Sequence, residues 1–260
     1  EWGWRVQVDI IKAGWLRATI ERVILFVALA AIWEISVVAF NVKPYLLPRL
    51  STVVESIWTF RTTLLIQSLV TANEIILGYI AAVIGGIILS LIIYAWPLAR
   101  RTVYPLVVLF QGLPKIALAP LMIIWMGYGT SSKVFIAFLF AFFPVVISTL
   151  GGLSGTPQNL VEHFRSIRAG TWTTFWRLQL PAALPSIMDG CKTAMPLAVI
   201  GAIVGEFVGS ERGLGYLILD ATAQAKTDML FAALIAVSVL AGLLYWVVEI
   251  LADRVWWRSL

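Results

Sequence analysis

Cysteine and histidine occur only once each in the 260 residues, as Cys191 and His163. A lone cysteine cannot form an intramolecular disulfide, and one of each residue is too few for a zinc site. One histidine leaves little for acid–base chemistry, and no cluster of His, Asp and Glu has catalytic spacing. We therefore expect no metal site and no enzyme, and we expect Cys191 to be a small buried apolar residue.

Charge is also scarce, at 13% of the residues, whereas 60% are hydrophobic and the mean hydropathy is +0.92. A soluble domain of this length could not bury so much apolar surface. Runs of about 20 apolar residues can cross a bilayer as helices. The composition therefore predicts an all-α integral membrane protein. The net charge of +5 does not indicate nucleic-acid binding, because the basic residues fall in loops between apolar runs.

Six apolar runs predict six transmembrane helices within one domain at 20–252. The expected spans are 20–40, 68–96, 104–126, 133–153, 182–208 and 229–252. Three prolines fall in the third run, which we expect to be kinked or interrupted. The first run is too long for the apolar region of a signal peptide, and further spans follow it, so we expect no cleavable signal.

The distribution of Lys and Arg predicts the orientation. If the N-terminus is inside, the inner segments hold more basic residues than the outer ones, which favours cytoplasmic termini. The cytoplasmic ends are then an N-terminal segment at 1–19 and a tail at 253–260. Tryptophans lie among basic residues in the N-terminal segment, a pattern typical of a helix in the membrane interface.

A polar stretch between the fourth and fifth runs reads PQNLVEHFRSIRAGTWTTFWRLQLPAALP, at 157–185. Thr156–Pro157 predicts a helix start, since Thr can cap a free N–H group and Pro suits a first turn. Leu160, Phe164 and Ile167 then recur at i, i+4 and i+7, which gives the helix one apolar face. The pattern predicts a short amphipathic helix on the cytoplasmic side.

A second short helix should follow. Gly170 is the expected stop of the first helix, Thr171 the expected start of the second, and Pro181 its expected end. Two interpretations are open on physical grounds. The pair could lie in the lipid headgroups as a connector, or it could insert into a groove on a cytoplasmic partner.

The polar stretch resembles the EAA loop of bacterial ABC importer permeases, which reads E-A-A, then G, and ends in I-x-L-P. Glu162 matches the glutamate and Leu180–Pro181 match the ending. The resemblance implies that this stretch, the coupling loop at 156–181, contacts an ATPase. The residues so implicated are Glu162, His163, Phe164, Arg165, Ile167, Arg168, Gly170, Leu180 and Pro181.

The coupling loop also departs from the family pattern. His163 and Phe164 stand where alanines are usual, and Arg168 stands where the glycine is usual. Gly170 comes two positions later. These bulky residues lead us to expect a matching, dedicated groove on the partner.

Four further stretches resemble the permease subfamily that handles nitrate, sulfonates, taurine, bicarbonate and pyrimidine precursors of thiamine. They are LLPRLSTV (46–53), GLPKIALAPLMIIWMGYGTSSKV (112–134), GAIVGEF (201–207) and RGLGYLI (212–218). The resemblance implies a type I ABC importer permease fold in the bacterial inner membrane. It also implies two cytoplasmic ATPases, a second permease and an external substrate-binding protein, and we expect a homodimer.

The chain contains no G-x-x-x-x-G-K-[ST] stretch, so it has no P-loop of its own. ATP and Mg would therefore bind to the partner ATPases, and we expect no cofactor in this chain. The solute would be small and anionic or polar. The candidates for its pathway are Met122, Trp125, Phe142, Lys192, Met195 and Glu206.

Charged residues inside the apolar runs are costly and need partners. Asp189 and Lys192 lie at i and i+3, so we expect an ion pair on one helix face. Glu34 and Glu74 have no evident role, and Glu74 stands where similar permeases often carry arginine. The alternative function is a stand-alone secondary transporter or channel that uses such charges for ion coupling. It leaves the coupling loop without a purpose.

Overall fold

The structure is a computed structural model that describes residue 21 and residues 23–256. The predicted interfacial helix at 1–19 and the last four residues of the tail lie outside that range. Every regular element in the described part is helical. The helices are α1 (Val23–Ala39), α2 (Leu50–Thr59), α3 (Arg61–Ala95), α4 (Pro97–Gln111), α5 (Ala119–Met126), α6 (Thr130–Ser154), α7 (Gln158–Ser166), α8 (Thr171–Thr174), α9 (Leu180–Gly209), α10 (Leu214–Ala223) and α11 (Thr227–Trp256).

Four helical runs of the described chain are long and apolar enough to cross a membrane. They are α3, α6, the continuous run Thr171–Gly209 and α11. A fifth is formed if α4 and Lys115–Met126 count as one bent span, and α1 is a shorter apolar helix. The all-helical membrane fold is confirmed, while a sixth full-length span stays a prediction.

The third predicted span is interrupted, as the sequence predicts. Its two halves, α4 and Lys115–Met126, meet at 92°. The break includes Pro114, which lacks an N–H group and disfavours helix at the residue before it. Pro105 lies within α4 without ending it, and Pro120 lies in the first turn of α5, where proline is tolerated.

Residue contacts divide the chain into two compact units. Of the described residues, the first comprises residue 21 and residues 23–61 with Ala221–Ala232, and the second comprises Thr62–Asp220 with residues 233–256. Within the first, the indole N–H of Trp33 donates to the carbonyl oxygen of Pro48 at 3.1 Å. Its ring lies 5.4 Å from that of Phe231.

The second unit is built on close packing of α3, α6 and α9. Small residues allow this approach, as is usual between membrane helices. A Cβ atom added at Gly201 would lie 2.8 Å from the Cα of Ala137, and one at Gly78 would lie 2.6 Å from the Cβ of Ala137. Cys191 is 5% exposed in this core, which confirms its prediction as a buried apolar residue.

Candidate functional site

The coupling loop begins with α7, one residue after Pro157. The helix start is therefore where the sequence predicts it. The predicted cap is wrong, however. The hydroxyl of Thr156 donates to the carbonyl oxygen of Leu153 at 3.4 Å, and no side chain caps α7. The hydroxyl instead bonds back to the last turn of α6, a local alternative that Thr often takes.

The end of α7 differs from the prediction at Gly170. The helix ends at Ser166, and the left-handed residue that follows is Arg168, with φ +54°. The Ala169 N–H donates to the Phe164 carbonyl and the Arg168 N–H to the Arg165 carbonyl, both at 2.9 Å.

This pair of hydrogen bonds is a Schellman motif, which usually places glycine at the left-handed position. Gly170 is extended, at φ −64° and ψ 158°, and directly precedes α8. Arg168 thus has the left-handed backbone conformation that favours glycine, and this accounts for the glycine that the family pattern has at this position.

The second helix of the loop does not end at Pro181, so that prediction is wrong. Helix is continuous from Thr171 to Gly209, with a π-helical turn at Phe175–Gln179 directly before Leu180–Pro181. The wider turn relieves the clash between the proline ring and the preceding carbonyls. The coupling loop is therefore joined to α9 without a break.

The surface of α7 is largely uncovered. Leu160 is 42% exposed and Ile167 is 62% exposed, while Phe164 is half-buried. Glu162, His163 and Arg165 are exposed, and within the described residues Glu162 makes no ion pair. The apolar face of this helix thus has room for a partner.

The pathway candidates fall in different surroundings. Met122 and Met195 are 5% and 3% exposed and pack in hydrophobic clusters. Phe142 is half-buried, with its ring centroid 5.0 Å from that of Phe138. Trp125 is 68% exposed. These four residues therefore differ in burial, and none of them lines the cavities described below.

Lys192 does not pair with Asp189, contrary to the sequence prediction. Its ammonium lies 3.4 Å from Oδ1 of Asp253 on α11. Asp189 is exposed, and its carbonyl accepts a hydrogen bond from the Thr193 hydroxyl. The i, i+3 spacing allows a pair on one helix, but the packing of α9 beside α11 offers Lys192 another carboxylate.

Glu206, 1% exposed, lies against the N-terminus of α10. Three successive backbone N–H groups there donate to side chains. The N–H of Gly213 donates to Gln67 at 2.6 Å, that of Leu214 to the Thr71 hydroxyl at 2.8 Å, and that of Gly215 to the Glu206 carboxylate. The Thr71 hydroxyl in turn donates to Glu206 at 2.6 Å. A helix start has free N–H groups and a positive dipole end, so a carboxylate stabilises it.

The close fit depends on glycine. Gly213 has φ +103°, which L side chains rarely adopt, and an added Cβ would lie 2.1 Å from Oε1 of Glu206. An added Cβ at Gly215 would lie 2.8 Å from Oε2. The glycines of the RGLGYLI stretch therefore let the backbone close over the carboxylate.

Glu34 likewise accepts hydrogen bonds at the start of a helix, here α2 in the first unit. Its carboxylate accepts from the N–H of Ser51 at 3.2 Å and from the Ser51 hydroxyl at 2.8 Å. Glu34 had no evident role in the sequence and Glu206 an uncertain one. Each carboxylate thus accepts a backbone N–H at the start of a short helix. Sequence spacing could not find this, because the carboxylate and the helix start lie on different elements.

Glu74 lies on α3 and is also 1% exposed. The Lys133 ammonium on α6 lies 3.4 Å from its Oε1 and donates to the Ser210 hydroxyl at 2.7 Å. We call Glu74, Lys133 and Glu206 the charged cluster. Sequence reasoning missed Gln67 and Thr71, although with Glu74 they form an i, i+4, i+7 series on one face of α3.

Beside the charged cluster is a cavity of about 980 Å³. Its lining includes Glu74 and Lys133, with Glu211 and Arg212 from the connection between α9 and α10. The described residues contain no group of three His, Cys, Asp or Glu side chains that could hold a metal ion.

Comparison with known proteins places these features in context. Residues 74–257 match the family described as binding-protein-dependent transport system inner membrane component. The chain is 37% identical over 222 residues to the formylaminopyrimidine transport permease protein ThiX of Halalkalibacterium halodurans, covering 85% of this chain and 88% of that one. It is 33% identical over 229 residues to a probable ABC transporter permease protein of Haemophilus influenzae, covering 88% and 94%.

A solved structure shares the fold. A chain of the MetNI methionine ABC transporter in an inward-facing conformation superposes with a TM-score of 0.64 at 17% identity. The match covers 76% of this chain and 98% of that chain.

Proposed function

The chain belongs to the family of binding-protein-dependent transport system inner membrane components, and on that premise we propose that its coupling loop links a solute pathway to ATPases on the cytoplasmic side. Members of this family are the membrane components of transport systems. The proposed partners are two ABC ATPase subunits, a second copy of this chain and an external substrate-binding protein. The bacterial inner membrane, with both termini cytoplasmic, is the proposed location.

One observation carries the proposal. Leu160 on the amphipathic helix α7 and Ile167, directly after its end, are exposed, and a continuous helix from Thr171 to Gly209 begins five residues after α7 ends. An apolar face at helical spacing is suited to a groove on a partner. Because the helix that follows continues into the membrane, a displacement of the loop would be transmitted along α9. Rocking of packed helices between two arrangements is a known basis of switching.

The proposed solute is a small polar or anionic organic molecule. The relatives support the size class, since ThiX is named for formylaminopyrimidine transport. Trp125 and Lys192 stay in the proposed pathway, one for its exposure and the other for its place beside a smaller cavity of about 310 Å³. Met122, Phe142 and Met195 belong to the packed hydrophobic clusters. They would contact a solute only if the pathway ran along the edge of that core.

The decisive experiment reverses one charge in the coupling loop. Glu162→Lys should abolish ATP-driven uptake and loosen the ATPases, because the exposed carboxylate would be replaced by a cation in the groove. Copurification of the ATPases with the tagged chain measures this directly. Glu55→Lys, a matched change at an exposed glutamate of α2, should leave both properties intact.

Normal copurification and uptake by Glu162→Lys would contradict the docking role. The stand-alone transporter predicts uptake by this chain alone, in liposomes without ATP. The relatives do not support that alternative, because they are ABC transporter permeases.

A further inference from the structure

Lys115 begins the short helical turn Lys115–Leu118, which follows the break in the bent span. Its ammonium lies over two aromatic rings of α6, 4.9 Å from the ring centroid of Phe143 and 5.8 Å from that of Phe140. Both phenylalanines are buried, whereas the lysine is only half-buried. Part of the lysine surface is therefore not covered by the described residues.

The two rings place this charge near the middle of a membrane span. Helix α6 runs over 25 residues, Thr130–Ser154, so its middle residue is Phe142. Phe140 and Phe143 lie two residues before and one residue after that midpoint, which is about 3 Å and 1.5 Å along the helix axis. The Lys115 ammonium is thus far from both ends of α6, where a lysine can extend into water or lipid headgroups.

No carboxylate balances this charge within the described chain. The two ion pairs of the described residues involve Lys133 and Lys192, and Lys115 takes part in neither. The aromatic rings offset only part of the cost of the cation, because a cation–π contact is weaker than the penalty for a charge at the centre of a bilayer. A charged residue inside a span usually faces a partner or an aqueous cavity on a transport path.

The backbone beside Lys115 has the same requirement. Between α4 and Lys115 the chain is not helical, and Gly112, Leu113 and Pro114 are exposed. At membrane depth such backbone is found only where it is buried in protein or lines a water-filled cavity. The described chain does not bury it, so an aqueous passage at this break would satisfy both the backbone and the ammonium.

We propose that Lys115 is a specificity-determining residue, binding the anionic group of a small organic solute as it passes this break. The ammonium would donate charge-assisted hydrogen bonds to the oxygens of a carboxylate or a similar oxyanion, and the anion would balance its charge. The rings of Phe140 and Phe143 hold the lysine side chain against α6. The inference rests on the proposed transport function and narrows its solute from polar or anionic to anionic.

Acetate and acetamide, which have nearly the same shape, test the charge preference. Saturation-transfer NMR would measure their binding to the assembled permease–ATPase complex in nanodiscs of zwitterionic lipid. Acetate should bind at least fivefold more tightly than acetamide. Lys115→Met removes the charge and keeps most of the side-chain length, so it should reduce that preference to less than twofold. Lys115→Arg should retain the preference, as should Lys226→Met at an exposed lysine between α10 and α11.

A chemical reaction of the native complex keeps the test decisive if Lys115→Met fails to assemble. Sulfosuccinimidyl acetate is a water-soluble anionic reagent that acetylates amines, and mass spectrometry of peptides reports each lysine separately. Lys115 should react at least tenfold faster than Lys133, which is 6% exposed and paired with Glu74. An excess of acetate should slow the reaction at Lys115 at least twofold and leave Lys226 unchanged.

Four results would overturn the inference: no preference for acetate in the native complex, a preference that Lys115→Met retains, acetylation of Lys115 as slow as that of Lys133, or no protection of Lys115 by acetate. Slow acetylation would mean that lipid or a second copy of the chain covers the ammonium. Lys115 lies outside the coupling loop, so none of these results changes copurification of the ATPases. Failure of this inference is therefore distinguishable from failure of the proposed function, which the Glu162→Lys variant tests.

Discussion

Replacing Arg168 by glycine should stabilise the end of α7. Arg168 holds φ +54° at the left-handed position of a Schellman motif. For an L residue that conformation costs about 1–2 kcal/mol, and glycine avoids most of it. Glycine loses about 0.4–1 kcal/mol through the entropy of the unfolded chain. The net gain should be about 0.5–1 kcal/mol.

Hydrogen exchange of the chain in nanodiscs without ATPases measures this gain. Opening of the motif releases the Ala169 N–H from the Phe164 carbonyl, so its exchange reports local stability. The gain corresponds to exchange slowed by roughly two- to fivefold. Arg168→Ala removes the same charge but keeps a Cβ, and should give no gain.

A second control separates conformation from the presence of glycine as such. Ala169 has no positive φ, so Ala169→Gly should speed exchange at the end of α7. The reasoning is refuted if Arg168→Gly exchanges as fast as the native chain, or if it changes in the same direction as Ala169→Gly.

Two further predictions concern stability. Gly213→Ala should destabilise the chain by about 1–3 kcal/mol or more, because a Cβ at φ +103° would meet the Glu206 carboxylate. Thermal unfolding in detergent should show the loss, whereas Gly151→Ala, with nothing within 4 Å, should be neutral or stabilising. Asp253→Asn should barely change the unfolding temperature, because its ion pair with Lys192 is solvent-exposed and such pairs contribute about 0–1 kcal/mol. A large drop would show that this pair is a structural element of the fold.

The three residues at which the coupling loop departs from the family pattern lie in different surroundings. Arg168 stands at a left-handed position, with φ +54°, which favours glycine. Phe164 is half-buried, so part of its bulk packs within the chain, while His163 is exposed. A partner groove would therefore have to accommodate His163 more than Phe164. An ATPase from a related importer should couple poorly for that reason, as measured by ATP-driven uptake after exchange of the subunit.

Local pattern and length determined much of the fold. The apolar runs predicted α3, α6, α9 and α11, because a helix that crosses a membrane must be apolar over about 20 residues whatever surrounds it. The break near Pro114 was also readable, since the effect of proline is covalent and local. The apolar periodicity of α7 predicted its helix for the same reason, while the role of the coupling loop stays a prediction.

Tertiary structure alone decided which groups the charged residues contact. Lys192 pairs with Asp253 rather than Asp189, and Glu206 satisfies α10 with the help of Thr71, which is 135 residues away in the sequence. Such partners are set by which helices pack together, and helical periodicity contains no information on that choice. Only the packed structure could show that Glu74 is buried and forms an ion pair with Lys133.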